Sequence, residues 1–186
     1  MIAKGLDFPN VTLVGVLNAD SSLSMPDFRA AERTFQLSAQ VVGRAGRAEL
    51  PGEAIIQTYN PQAPAIRTAA AGDFVSFARE ELEERKAAFF PPYSHLCVIS
   101  LRSKDAALVE SWAQMYAASL MKVKDLVVGD AVPSAIEKAD EYYRWQIVVR
   151  SVKVSTVVQA WKWISGVRPV PAALKVSFDV DAFSFV

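Results

Sequence analysis

Pro91 and Pro92 stand side by side in this chain, between Phe89-Phe90 and Tyr93. Proline has a fixed φ and no N–H to donate, so neither a helix interior nor a central strand runs through such a pair. The element before it must end there, and the hydrophobic pattern also changes there. The sequence therefore predicts two units, residues 1–90 and 91–186, with the aromatics of 89–93 packing the junction.

In the first unit, Val11 to Leu17 is a short apolar run rich in β-branched residues. It reads as a parallel strand buried on both faces. Ser21 to Asp27 reads as a loop. Ser24-x-x-Asp27, with Pro26, has the form of a capping box opening a helix that runs to about Val42. Glu53–Tyr59 reads as the next strand and 62–71 as an apolar helix. Gly72-Asp73 starts a charged helix whose run Glu80 to Lys86 reads as a solvated face, with Glu81 and Arg85 spaced for an i,i+4 pair.

In the second unit, the closing stretch alternates cleanly, with Leu174, Val176, Phe178 and Val180 set against Lys175, Ser177, Asp179 and Asp181. That is a strand with one buried face. Before it come a strand at 94–101, a helix at 104–121, a short strand at 126–128, a loop at 129–141, a strand at 142–150 and a helix at 154–165. The order β-α-β-β-α-β predicts a ferredoxin-like α+β arrangement, an antiparallel sheet with both helices on one face. The fold class expected for the whole is α/β.

Composition limits the functions available. The 186 residues carry 20 basic and 20 acidic groups, for a formal net charge of zero. Any nucleic-acid contact must then be a local patch rather than a global field. One cysteine, Cys97, and one histidine, His95, exclude a disulfide framework and disfavour a zinc site within the chain. No stretch approaches 18 apolar residues and the N-terminus has no signal-peptide layout, so a cytoplasmic protein without a membrane partner is expected.

Gln40-Val41-Val42-Gly43-Arg44-Ala45-Gly46-Arg47 carries the most specific chemistry. Glycines let a backbone turn and approach a ligand closely. Arginines offer forked, permanently charged donors that match phosphate oxygens. Such a segment suits an arginine-finger role at the γ-phosphate of a nucleotide held by a neighbouring lobe. The same residues also fit a glycine-broken helix end with two solvated arginines. Glu137-Lys138-Ala139-Asp140-Glu141-Tyr142-Tyr143-Arg144-Trp145 interleaves charge with aromatic rings, which suits DNA phosphates and base stacking. Alternatively its aromatics belong to the core and its acids repel DNA.

Several elements together resemble motifs V and VI and the C-terminal signatures of the primosomal replication-restart helicases, within helicase superfamily two. They are Ala3-Lys4-Gly5 with Asp7-Phe8-Pro9, the Val11–Leu17 run, Asp27-Phe28-Arg29 with Glu32-Arg33, Gln40 to Arg47, Tyr143-Arg144-Trp145-Gln146 and Asp179-Val180-Asp181. The resemblance covers nearly the whole chain. It implies part of a RecA-like helicase lobe followed by the small α+β domain. It also implies a 3′-to-5′ DNA helicase that recognises stalled forks and restarts replication by primosome assembly.

On that resemblance Arg44 and Arg47, with Gln40, would serve ATP hydrolysis. Lys4, Gly5, Asp7 and Gly43 would lie at the nucleotide, although Asp7 also fits a turn-capping carboxylate. Lys138, Arg144 and Lys153 are the candidates for contact with DNA or a partner. ATP and Mg²⁺ would be shared with a first lobe, and a structural zinc would lie outside this chain. The implied partners are forked and single-stranded DNA, the single-stranded-DNA-binding protein and other primosome proteins. The chain has no G-x-x-x-x-G-K-[ST] phosphate loop, so it reads as the C-terminal part of a longer protein and is expected to be inactive alone. A non-motor binding factor with a degenerate ATPase remains the alternative, favoured by Leu6 and the weakly basic loop.

Overall fold

The computed structural model describes residues 12–43 and 52–182. It mixes helices and sheets in two compact units that divide between Glu84 and Arg85. Lys4, Gly5, Asp7, Arg44 and Arg47 lie outside the described residues.

The first unit pairs strand β1 (Leu13–Val16) in parallel with β2 (Glu53–Ile56), in the register Leu13↔Glu53 to Val16↔Ile56. Parallel neighbours need a long crossover. The intervening chain contains helix α1 (Asp20–Leu23) and helix α2 (Ala30–Val42). The strand is parallel, as its sequence predicts, but among the described residues only one face is covered. Val16 and Ile56 pack on Ala19, Ala63 and Ile66, while Leu13 is 58% and Ile55 52% exposed.

The capping box at Ser24 does not form. The segment read as a loop contains α1, and α2 starts at Ala30 with no side-chain cap. Asp27 holds that start differently. One carboxylate oxygen accepts from the Arg29 N–H at 2.9 Å and the other pairs with Arg33 at 3.0 Å.

Helix α3 (Pro64–Ala71) opens on proline and closes at Gly72, whose φ of 67° is the left-handed conformation that glycine adopts without strain. Helix α4 (Phe74–Ala87) follows, its Ser76 N–H bonded to the Asp73 carboxylate at 2.9 Å. Phe35 and Phe77 stack at 4.3 Å, with Ala65 and Ala69 beside them. The charged run is not wholly solvated. Glu83, Glu84 and Lys86 are exposed, but Glu81 is buried, because the turn that carries Phe77 into this core also turns Glu81 inward.

Asp20 ties α1 to the chain leaving β2. Its carboxylate accepts from the Tyr59 N–H and the Thr58 hydroxyl, both at 2.9 Å. These bonds, the Tyr59 N–H foremost, hold its pKa below the ordinary carboxylate value of 3.8. A carboxylate whose folded pKa is depressed adds stability above its unfolded pKa and loses it as pH falls through the folded value. Asp20→Asn is therefore expected to destabilise the chain at neutral pH and to narrow its stability difference from wild type below about pH 3.8. Thermal melts of both proteins across that range check this; a constant gap down to the lowest pH would refute it.

The second unit orders its strands β4-β6-β3-β7, with β5 also paired to β6, and every pairing is antiparallel. The strands are β3 (His95–Ser103), β4 (Val127–Val128), β5 (Val132–Ala139), β6 (Tyr142–Ser151) and β7 (Lys175–Val180). Helix α5 (Ala106–Leu120) and helix α6 (Val154–Val167) cover one face. Cys97, Ile99 and Leu101 of β3 and Ile147 and Val149 of β6 meet Val109, Trp112 and Tyr116 of α5 and Val157 and Ile164 of α6 in one core. Arg150 and Ser94 hold the junction peptide. Arg150 donates to the Ala88 carbonyl and lies 4.6 Å from the Phe90 ring centre. Ser94 Oγ donates to the Phe89 carbonyl at 2.8 Å.

Residues 129–141, read as a loop, contain β5. Its burial pattern carries no alternation, and Pro133, Glu137 and Lys138 are poor strand formers. Pairing with β6 makes it a strand, with a register shift between Pro133 and Lys138. Asp140 and Glu141 close the hairpin at φ of 49° and 67°. Both central residues of such a two-residue turn need positive φ, usually signalled by Asn-Gly. Asp-Glu gives no such signal.

Candidate nucleic-acid interface

Alternation along β3, β6 and β7 sends every second residue away from the helices. The antiparallel registers align these residues into rows. Arg144, Arg102 and Lys175 face one another across β6, β3 and β7; Gln146, Ser100 and Ser177 form the next row, and Val148, Val98 and Asp179 the third. Neighbouring strands lie about 4.8 Å apart, so each row spans roughly 10 Å, and successive rows are about 6.6 Å apart along the strands.

The rows floor an open concavity of about 550 Å³, walled on one side by Ser134, Ala135 and Ile136 of β5. Tyr142 ends the cationic side. Arg102, Lys104 and Lys175 lie 5.7, 5.8 and 5.4 Å from its ring centre. Three cations around one ring place permanent positive charge beside a polarisable aromatic surface. Arg144 is half-buried, and its Nε, shielded from solvent, makes no hydrogen bond among the described residues. Lys104 also pairs with Glu141 at 2.6 Å, and Asp179 carries negative charge at the opposite end. The face can therefore attract an anion at the Arg102 end and repel it at the Asp179 end.

The sequence candidates do not form one group. Arg144 is in the cationic row. Lys138 pairs across the hairpin with Tyr143, lying 4.6 Å over its ring and 3.3 Å from its hydroxyl. Tyr143 packs against the helix-side core, so Lys138 and Arg144 belong to opposite faces. Lys153 sits beyond the far end of β6 at the start of α6, more than about 20 Å along the strand from Arg144. In the first unit, Gln40 is exposed in the last turn of α2 and Gly43 caps that helix. Gly43 has φ of −67°, an ordinary right-handed conformation, so its backbone is one any residue adopts. A Cβ there would meet the Ala39 carbonyl oxygen at 3.3 Å, a tight contact.

Arg102, Lys175, Ser100 and Ser177 were not named as site residues from sequence, whereas Tyr142 lay in the charged aromatic stretch and Gln146 in Tyr143-Arg144-Trp145-Gln146. The outward set of β7 is visible in the alternation after Leu174. Its alignment with Arg102 and Arg144 is not, because register between distant strands leaves no local trace. Among the described residues no helix is long and apolar enough to cross a membrane, and no group of three or more His, Cys, Asp or Glu is placed to hold a metal ion.

The family model described as the primosomal protein N C-terminal domain matches residues 86–183, and the chain belongs to that family. Among curated relatives, replication restart protein PriA of Bacillus subtilis is 43% identical over 153 residues, covering 81% of this chain and 19% of the relative. The protein of the same name from Synechocystis sp. is 36% identical over 186 residues, covering 99% and 22%. That from Rickettsia felis is 36% identical over 186 residues, covering 100% and 28%. The chain thus spans roughly a fifth to just over a quarter of the length of these relatives.

Proposed function

We propose that this chain is the portion of a replication-restart DNA helicase that supplies an arginine-finger segment and a DNA-contacting C-terminal domain. Membership of the primosomal protein N family, together with relatives named for replication restart over nearly the whole chain, carries this reading. Residues 12–84 belong to a RecA-like lobe, a reading supported by the parallel pair β1–β2 with helices between its strands. Residues 85–182 form a ferredoxin-like domain, a reading supported by the order β7-β3-β6-β4, with β5 also on β6 and all neighbours antiparallel.

In the whole protein, ATP with Mg²⁺ binds between this lobe and a first lobe. Arg44 and Arg47 donate to the γ-phosphate oxygens as charge spreads over them, and Gln40 orients one of the two guanidinium groups. Lys4, Gly5, Asp7 and Gly43 line the nucleotide side. Zinc belongs to another segment. The protein works in the bacterial cytoplasm on forked and single-stranded DNA, alongside the single-stranded-DNA-binding protein and other primosome proteins.

The cationic sheet row is the DNA contact within this chain, because guanidinium and ammonium groups on a concave face neutralise backbone phosphates. Arg102→Gln with Lys175→Gln is expected to weaken binding of labelled forked DNA by the 186-residue chain about tenfold, or roughly 1.4 kcal/mol. The same variant should flatten the dependence of log affinity on log salt by close to one unit per lost phosphate contact. Unchanged affinity and slope, measured by fluorescence anisotropy, would remove the sheet face from this reading. The motor assignment is tested by ATP hydrolysis of the full-length protein with and without forked DNA; absence of fork stimulation overturns it.

A further inference from the structure

We propose that the open face of the second unit's sheet takes a single-stranded, unstacked stretch of nucleic acid, with phosphate on the cationic row and base edges on the neutral row behind it. The inference rests on the sheet face being the DNA contact and specifies which form of DNA it accepts.

The order of the rows carries the argument. Arg144, Arg102 and Lys175 form a line of cations, and the next outward row is Gln146, Ser100 and Ser177, all neutral and all able both to donate and to accept hydrogen bonds. A contact built only for backbone charge has no use for that second row. A base edge presents both donors and acceptors, and such a row satisfies them without demanding one base. In the third row Asp179 repels phosphate and Val98 is buried, which sets a direction along the strands with phosphate at the Arg102 end and base toward Ser100.

Shape selects between single strand and duplex. In a duplex the base edges lie at the bottom of grooves, which a protein reads with a protruding helix or ribbon. This face is concave instead, and β5 residues 134–136 rise along one side of it. A duplex can touch the rim, but it cannot lower its paired bases to Ser100 and Gln146. A single strand can, and its phosphates then fall beside Arg102 and Lys175. The concavity of about 550 Å³ is of ligand size rather than duplex size. Tyr142, at the cationic edge, adds a ring on which a base can stack, a contact indifferent to sequence.

The test measures fluorescence anisotropy of the 186-residue chain with two labelled probes, an oligothymidylate of about ten nucleotides and a blunt duplex of the same length. Wild type is expected to bind the single strand more tightly. Ser100→Ala with Gln146→Leu should weaken single-strand binding about tenfold and leave duplex binding within about twofold. Arg102→Gln should weaken both, with the smaller salt slope on the single strand. Thermal melting checks folding of each variant. If the double variant fails to fold, Ser177→Ala on the exposed side of β7 carries the same comparison.

Preference for duplex by wild type, or equal loss on both probes from the neutral-row variant, overturns the single-strand assignment while leaving the DNA contact standing. Loss of neither probe from that variant overturns it too. If Arg102→Gln also changes neither probe, the DNA contact itself is refuted.

Discussion

On the proposed finger role, Arg47→Ala in the full-length protein is expected to lower fork-stimulated ATP hydrolysis by about three orders of magnitude or more, with ATP binding changed far less. Phosphoryl transfer leaves little covalent work for the protein, so catalysis depends on donors aimed at charge that grows in the transition state. A guanidinium delivered from a second lobe meets that need and is absent from the ground-state grip on the nucleotide. Its loss therefore appears in kcat rather than in KM. Arg47→Lys separates geometry from charge. It keeps the positive charge but lacks the planar fork, and it should recover only part of the rate. Gln40→Ala should cost less than Arg47→Ala, since a neutral amide that orients an arginine contributes through position and not charge. Steady-state phosphate release with and without forked DNA measures all three. Arg47→Ala within about tenfold of wild type would take the finger role from Arg47. An inactive wild type that still binds forks would make the protein a binding and loading factor.

Tyr116→Ala is expected to cost about 3–5 kcal/mol of folding stability, the range for deleting a large aromatic side chain from a packed core. The side chain is fully buried in α5. Its ring meets Trp112 edge-on at 5.6 Å and Trp161 edge-on at 5.2 Å, and Trp161 in turn stacks on Phe178 at 5.5 Å. The aromatic chain joins α5, α6 and β7, so truncation at Tyr116 leaves a cavity where these elements meet. The hydroxyl tells a different story. It is buried without a hydrogen-bond partner among the described residues, and burial pushes its pKa above the usual phenol value. A desolvated, unpaired hydroxyl is a cost. Tyr116→Phe removes that cost and keeps the ring, so it should be neutral or stabilising by up to about 1 kcal/mol. Urea unfolding with an unchanged m-value measures both variants. A loss of more than about 1 kcal/mol in Tyr116→Phe would show that the hydroxyl is satisfied in solution.

Much of the architecture was legible because it is written in local periodicity. The alternation from Leu174 to Asp181 marks β7 and names its inward face, and Leu108, Trp112, Met115 and Tyr116 fall at helical spacing on the inward side of α5. α4 ends at Ala87, ahead of Pro91-Pro92 as the sequence predicts, and closes with Phe89 at a φ of 56° and the Phe90 N–H bonded to the Arg85 carbonyl at 2.8 Å. The reading of the arginine segment rests on residue types and short spacing alone, and Arg44 and Arg47 lie outside the described residues.

The failures share one cause, which is that the deciding contact lies far away in sequence. Leu13 and Ile55 look like residues buried on both sides, yet their strand face is exposed among the described residues because only its opposite face is packed. Glu81 resembles its charged neighbours, and only its place beside Phe77 buries it. Lys138 and Arg144 are six positions apart in one charged, aromatic stretch, but the hairpin turn at Asp140-Glu141 and the pleat of β6 assign them to opposite faces.

The sequence by itself determined the inward faces of its most periodic elements, β7 and α5, and placed a change of unit near 90, six residues beyond the division between Glu84 and Arg85. The tertiary structure alone decided that Arg102, Arg144 and Lys175 stand in one row with Ser100, Gln146 and Ser177 behind them. Periodicity is a property of neighbouring residues, whereas register between β3, β6 and β7 is set when the helices bury a shared core, and no single strand records that choice.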